Sequence, residues 1–89
     1  MVIVINGMSG SASFSPANAS VKVGQTVAWQ NTKGAYSAHD IVEDGAAGFN
    51  TGVIESGSTS AAIAITQMGT LTYHCSIHPS MTGSLSVTQ

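Results

Sequence analysis

Apolar residues recur along this chain in short alternating runs. Val27 and Trp29 alternate with Thr26, Ala28 and Gln30, and Leu71, Tyr73 and Cys75 alternate with Thr70, Thr72 and His74. A period of two puts such residues on one face of a strand and their polar neighbours on the other. Val2 to Ile5 is apolar on both faces and reads as a first strand in the core. Phe14 and Pro16 open a broken second strand, because Pro16 cannot donate to a central ladder. Val21 and Val23 alternate with polar residues before a Gly24-Gln25 turn. Val27 and Trp29 then carry a third strand ending near Asn31, Ile63 and Ile65 mark a later one, and Leu85 and Val87 close the chain. From Thr32 to Ser60 the pattern dissolves into Gly, Ala, Ser and Asp, which predicts one or two short edge strands and the longest loops. No apolar pattern at i, i+3, i+4, i+7 is sustained, so no helix is predicted. Short strands parted by turn residues predict an all-β fold: a Greek-key sandwich of two sheets and seven to eight strands, in a single domain over 1–89.

Composition narrows the picture. With 89 residues the core is modest, and the single cysteine allows no internal disulfide. A bound metal is therefore a candidate for added stability. Charged residues make up 7% of the chain, against about 25% in an ordinary soluble domain. Lys22 and Lys33 are the basic residues and the formal net charge is −2. Nucleic-acid binding and a polybasic membrane patch both need clustered Lys and Arg, and this excludes them. So few charges also steer a partner weakly at long range, so docking should rest on apolar contact. No apolar run approaches the ~20 residues of a membrane-spanning helix. Val2 to Ile5 has no basic stretch before it and is a strand, not a signal peptide.

The chemistry concentrates in Tyr73-His74-Cys75-Ser76-Ile77-His78-Pro79-Ser80-Met81. A thiol, an imidazole and a thioether follow one another at C-x2-H-x2-M spacing, past the end of a strand, and His39 supplies a second imidazole from a loop upstream. Two His, one Cys and a weak axial Met form the donor set of a one-electron copper site, because soft sulfur suits copper(I) and imidazole suits both oxidation states. Parity agrees: Cys75 shares the inward face of Leu71 and Tyr73, so His74 points away and is not a ligand. Pro79 holds His78 extended and removes one amide from the loop. Each residue alone has a plainer meaning. A lone Cys is more often a buried inert thiol, a lone His is more often solvated, and Met81 alone would be packing, as Met1, Met8 and Met68 are expected to be. The conjunction outweighs these. Zinc has little use for a thioether, a Cys–His nucleophile needs an orienting residue and a cleft, and haem attachment needs C-x-x-C-H. Glu43, Asp44 and Glu55 form no evident pair and read as solvated loop charges.

Those motifs, together with Ala38-His39-Asp40 and the strand order, resemble the cupredoxins, or type 1 blue copper proteins, and among them most closely the amicyanins. The resemblance covers essentially the whole chain. It implies one copper ion cycling between Cu(II) and Cu(I), held by His39 and His78 through Nδ1, by Cys75, and by Met81 as the long axial ligand. The family usually has Asn after the first His, where this chain has Asp40. By analogy the Asp40 amide should bond the Cys75 sulfur and its side chain should meet Ser76, bracing the ligand loops with Pro79.

The implied function is outer-sphere transfer of single electrons between protein redox partners through the exposed edge of His78. Met8, Ala35, Tyr36, Ile77 and Pro79 are the expected apolar docking ring, although Met8 and Ile77 also read as core. Partners would bind transiently and with weak electrostatics, the chain would be a monomer and not an enzyme, and the resemblance places it in the periplasm or otherwise outside the cytoplasm. Copper storage or delivery, or a copper domain from a larger redox enzyme, are the alternatives the same ligands allow.

Overall fold

Alternation organises the described residues into nine strands: β1 (Val2–Ile5), β2 (Phe14–Ser15), β3 (Asn18–Lys22), β4 (Thr26–Asn31), β5 (His39–Glu43), β6 (Asn50–Ile54), β7 (Ile63–Ala64), β8 (Gly69–Cys75) and β9 (Thr82–Thr88). The computed structural model describes residues 1–6, 13–32, 38–45 and 48–89. The strands form two sheets, ordered β2-β1-β4-β7 and β3-β9-β8-β5-β6. Both are mixed, since β1 runs parallel to β4 and β3 runs parallel to β9 while the remaining pairs are antiparallel. The expected all-β two-sheet sandwich is therefore present, and no α-helix occurs among the described residues. The strand count reaches nine because β2 and β7 contribute two residues each.

Pro16 marks the change of sheet. Phe14–Ser15 pairs with β1 in the first sheet, whereas Asn18–Lys22 pairs with β9 in the second. A residue with no N–H cannot continue the ladder, so the broken strand expected at Pro16 resolves into two strands on opposite sheets. After β3 the chain turns at Gly24, whose φ of 96° is the left-handed value that glycine accepts without strain. Gln25 N–H closes this turn on the Lys22 carbonyl at 3.0 Å.

Inward-facing residues of both sheets make one core. Ile3 and Ile5 of β1, Val27 and Trp29 of β4, and Leu85 and Val87 of β9 are buried at alternate positions. Tyr73 stands in the middle, its ring 4.9 Å from Phe14 and 5.3 Å from Trp29 in edge-to-face contacts. Such aromatic pairs contribute about 0.5–1.5 kcal/mol each beyond the area they bury.

Several expectations need correction. Val2 is 52% exposed, so β1 buries one face only, because its outer side meets no third layer. Val23 lies in the turn and is 41% exposed. Met1 and Met68 are exposed and pack no core, lying respectively before the first strand and in the turn ahead of β8. Between Thr32 and Ser60 the described residues form two strands of five residues, and of these only β6 is at an edge. β5 lies inside the sheet, between β6 and β8, and His39 is its first residue instead of part of a loop.

Candidate metal centre

Strand register assembles the site. β8 and β9 pair in a register that sets His74 opposite Thr82, and the Cys75 N–H donates to the Met81 carbonyl at 3.1 Å. Cys75 thus faces Met81 across the mouth of the hairpin, and both side chains are buried. Directly paired residues in an antiparallel ladder project to the same face. On the other flank β5 pairs with β8, Ile41 opposite Cys75. His39 lies two residues before Ile41 on the same face of β5, so its imidazole enters the same pocket.

The third donor comes from the loop between Cys75 and Met81. Met81 N–H donates to the His78 carbonyl at 2.9 Å, which folds the loop back and points His78 inward. His39 Nδ1 lies 3.5 Å and His78 Nδ1 3.8 Å from the Cys75 sulfur. The two rings stand 5.1 Å apart between centroids, and the three donor atoms fall within 4.8 Å of one another. Bonds of roughly 2.0–2.3 Å from nitrogen and sulfur to a shared ion, at tetrahedral angles, separate the donors by roughly 3.5 Å. The residues present therefore fit a metal ion. Among the described residues this is the one cluster of three or more His, Cys, Asp or Glu with that convergence.

Electrostatics favour the metal-binding form of His39. Burial, and then the charge of nearby His78, lower its pKa, so the ring prefers to be neutral. A neutral imidazole has the lone pair a cation needs. His39 is almost wholly buried while His78 remains half-buried, so His78 is the ligand edge nearest solvent.

Around this pocket the two ligand-bearing backbones are tied together. Ser76 N–H donates to the Asp40 carbonyl at 2.8 Å, and Ser76 Oγ donates to Asp40 Oδ2 at 3.1 Å. The side-chain contact expected between Asp40 and Ser76 is thus present. Ile77 is 49% exposed and Pro79 is exposed, so Ile77 is a surface residue and not core. The other expected ring members, Met8, Ala35 and Tyr36, lie outside the described residues.

Of the three acids expected to be solvated loop charges, Glu55 is exposed as expected, whereas Glu43 and Asp44 make specific contacts. Glu43 is buried at the end of β5, where its carboxylate accepts the Gly45 N–H at 2.8 Å and the Gly48 N–H at 2.7 Å. Asp44 Oδ1 meets His74 Nδ1 at 2.5 Å on the outer face of the sheet. The signal available for Glu43 was its place at the end of the run His39-Asp40-Ile41-Val42-Glu43, two residues from a glycine able to present its amide. His74 lies away from the ligand pocket, as parity requires.

A family model described as copper binding proteins, plastocyanin/azurin family, matches residues 1–88. Among solved structures, a purple cupredoxin from Nitrosopumilus maritimus is similar, with 28% identity, a TM-score of 0.81, and 98% of each chain covered. The reduced copper(I) form of an amicyanin variant gives 27% identity and a TM-score of 0.78, covering 98% of this chain and 80% of that one. A second copper(I) amicyanin variant gives 28% identity and the same TM-score and coverage. Among curated proteins none matches the sequence.

Proposed function

Because the chain belongs to the plastocyanin/azurin family of copper-binding proteins, we propose that it is a type 1 copper protein that carries single electrons between redox partners. The observation that carries this reading is the convergence of the Cys75 sulfur with two imidazole Nδ1 atoms at 3.5 and 3.8 Å. Copper bound there supplies reversible one-electron chemistry, cycling between Cu(II) and Cu(I). His39, Cys75 and His78 are the strong ligands in this proposal, and Met81, buried opposite Cys75, is the weak axial one. The Asp40 amide is assigned as a donor to the Cys75 thiolate.

The chain's own residues account for the rest. β5 and β8 hold His39 and Cys75 on rigid strands, so a change of oxidation state finds the donors already placed. The short Ser76–Ser80 connection holds His78 toward the surface. Electrons would pass outer-sphere through the His78 edge, with Ile77 and Pro79 supplying an apolar surround that sheds water when a partner docks. Such a face suits a transient partner bound with little electrostatic steering, by a single-domain monomer outside the cytoplasm. No helix among the described residues is long and apolar enough to cross a membrane.

Adding Cu(II) to the purified protein tests the reading. An intense thiolate-to-copper absorption with a narrow copper hyperfine splitting is expected, and both should vanish in Cys75→Ala. A colourless, ordinary copper spectrum from the unaltered chain would sink it. Retained copper in the presence of a copper(I) chelator separates an electron carrier from a delivery protein, which would surrender the ion.

A further inference from the structure

The carboxylate of Asp40 sits where the two ligand-bearing strands meet. It is one residue from His39 along β5, and the residue that holds it, Ser76, directly follows Cys75. Its two oxygens have unequal surroundings. Oδ2 accepts from Ser76 Oγ at 3.1 Å, whereas Oδ1 is buried and meets no hydrogen-bond donor among the described residues. An ionised carboxylate can only accept hydrogen bonds. An oxygen withdrawn from water without a donor leaves its negative charge poorly compensated. Among the described residues the one ion pair is His74 with Asp44, and none of their cationic side chains pairs with Asp40. Lys22 lies at the end of β3, paired with Thr88, in the edge strand across the sheet from β5.

We propose that Asp40 sets the reduction potential of the centre low, its carboxylate favouring the more highly charged oxidised ion, and that the Ser76 hydroxyl moderates this effect. The inference rests on the type 1 copper reading of His39, Cys75, His78 and Met81. Its physics is Coulombic. A negative group in a partly dry setting, next to His39 in the chain and hydrogen-bonded to the residue that follows Cys75, stabilises two positive charges more than one. The Ser76 O–H dipole points its positive end at Oδ2 and weakens that field. A purely bracing role would behave differently, because an amide in place of the carboxylate still accepts from Ser76 Oγ and leaves the brace intact.

The test compares the reduction potentials of the copper-loaded chain with those of Asp40→Asn and Ser76→Ala, the fold of each checked by circular dichroism. Asp40→Asn should raise the potential by at least tenfold in the ratio of Cu(I) to Cu(II) affinity, or about 59 mV for one electron. Ser76→Ala should lower it, since the carboxylate loses the donor that tempers it. Opposite signs are the signature of charge. An unmoved potential in Asp40→Asn, or shifts of the same sign in both variants, overturns the inference. Should Asp40→Asn fail to fold, Asp40→Ser removes the same charge in a smaller side chain and must move the potential upward. If the unaltered chain shows no thiolate-to-copper band, the copper reading itself falls and this inference with it. A normal band with an unmoved Asp40→Asn potential overturns this inference alone.

Discussion

Tyr73 and Gly83 are partners across β8 and β9, and their sizes are matched. A Cβ added to Gly83 would stand 2.5 Å from the Tyr73 Cζ and Oη atoms, well inside contact distance. The ring is fixed on its other sides by Phe14 and Trp29, so it has little room to yield. Gly83→Ala should therefore destabilise the fold by about 1–3 kcal/mol, the usual cost of overpacking a filled core. Urea unfolding of the two proteins measures it, and equal midpoints would show that Tyr73 moves aside freely. The same ring explains why Cys75 was easy to place from sequence. Leu71, Tyr73 and Cys75 share one side of a strand whose outer side is Thr70, Thr72 and His74, and that alternation is unambiguous. Burial also pushes the Tyr73 phenol up to about 12, because its charged form would lose contact with water.

β5 was the least legible strand, for a physical reason. Its buried positions are His39, Ile41 and Glu43, and two polar residues out of three hide the inward face from any reading by hydrophobicity. Each polar residue meets partners that lie far from it in sequence or in a turn that alternation does not report. His39 faces Cys75 and His78, and Glu43 caps the amides of Gly45 and Gly48. Asp44, just past the strand, ties β5 to β8 by its N–H on the Thr72 carbonyl at 2.9 Å and by its carboxylate on His74. Burial alone would raise the Asp44 pKa, but hydrogen bonds from Thr72 and His74 and the attraction of His74 outweigh it and leave it lowered. A lowered carboxylate pKa means the folded state holds the charged form more firmly than the unfolded chain does. The stabilisation is therefore complete above the ordinary Asp range and is lost as pH falls through the folded value. The pair is substantially exposed, so the effect should stay below about 1 kcal/mol. Unfolding midpoints for Asp44→Asn and the unaltered chain should differ near neutral pH and converge in acid. A gap that persists at low pH would show that Asp44 acts through shape and not charge.

At the scale of the whole molecule, scarcity of charge and position of the site make one argument. The chain spreads six charged side chains over 89 residues, with a formal net charge of −2. Little field remains to guide a partner from a distance. Recognition then falls to the surface where the proposed ligand His78 comes nearest to solvent, and the described residues flanking it there, Ile77 and Pro79, are exposed and uncharged. Sequence made this end of the sandwich legible through the spacing of Cys75, His78 and Met81, but the docking ring less so, because exposure of an apolar side chain depends on how a loop folds. Ile77 shows the difficulty, since its hydrophobicity alone suggests core. A negative charge introduced beside His78 should oppose contact between two such faces, both by stranding a charge in an apolar contact and by repulsion between copies. Electron self-exchange between the Cu(I) and Cu(II) forms needs no outside partner, so it reports on this face directly. Pro79→Glu should slow self-exchange at least about tenfold, equivalent to ~1.4 kcal/mol of docking energy, while leaving the absorption spectrum in place. Added salt should recover part of the loss by screening the repulsion. Line broadening in nuclear magnetic resonance of half-reduced samples gives the rate, and an unchanged rate in Pro79→Glu would move the electron-transfer face elsewhere on the molecule.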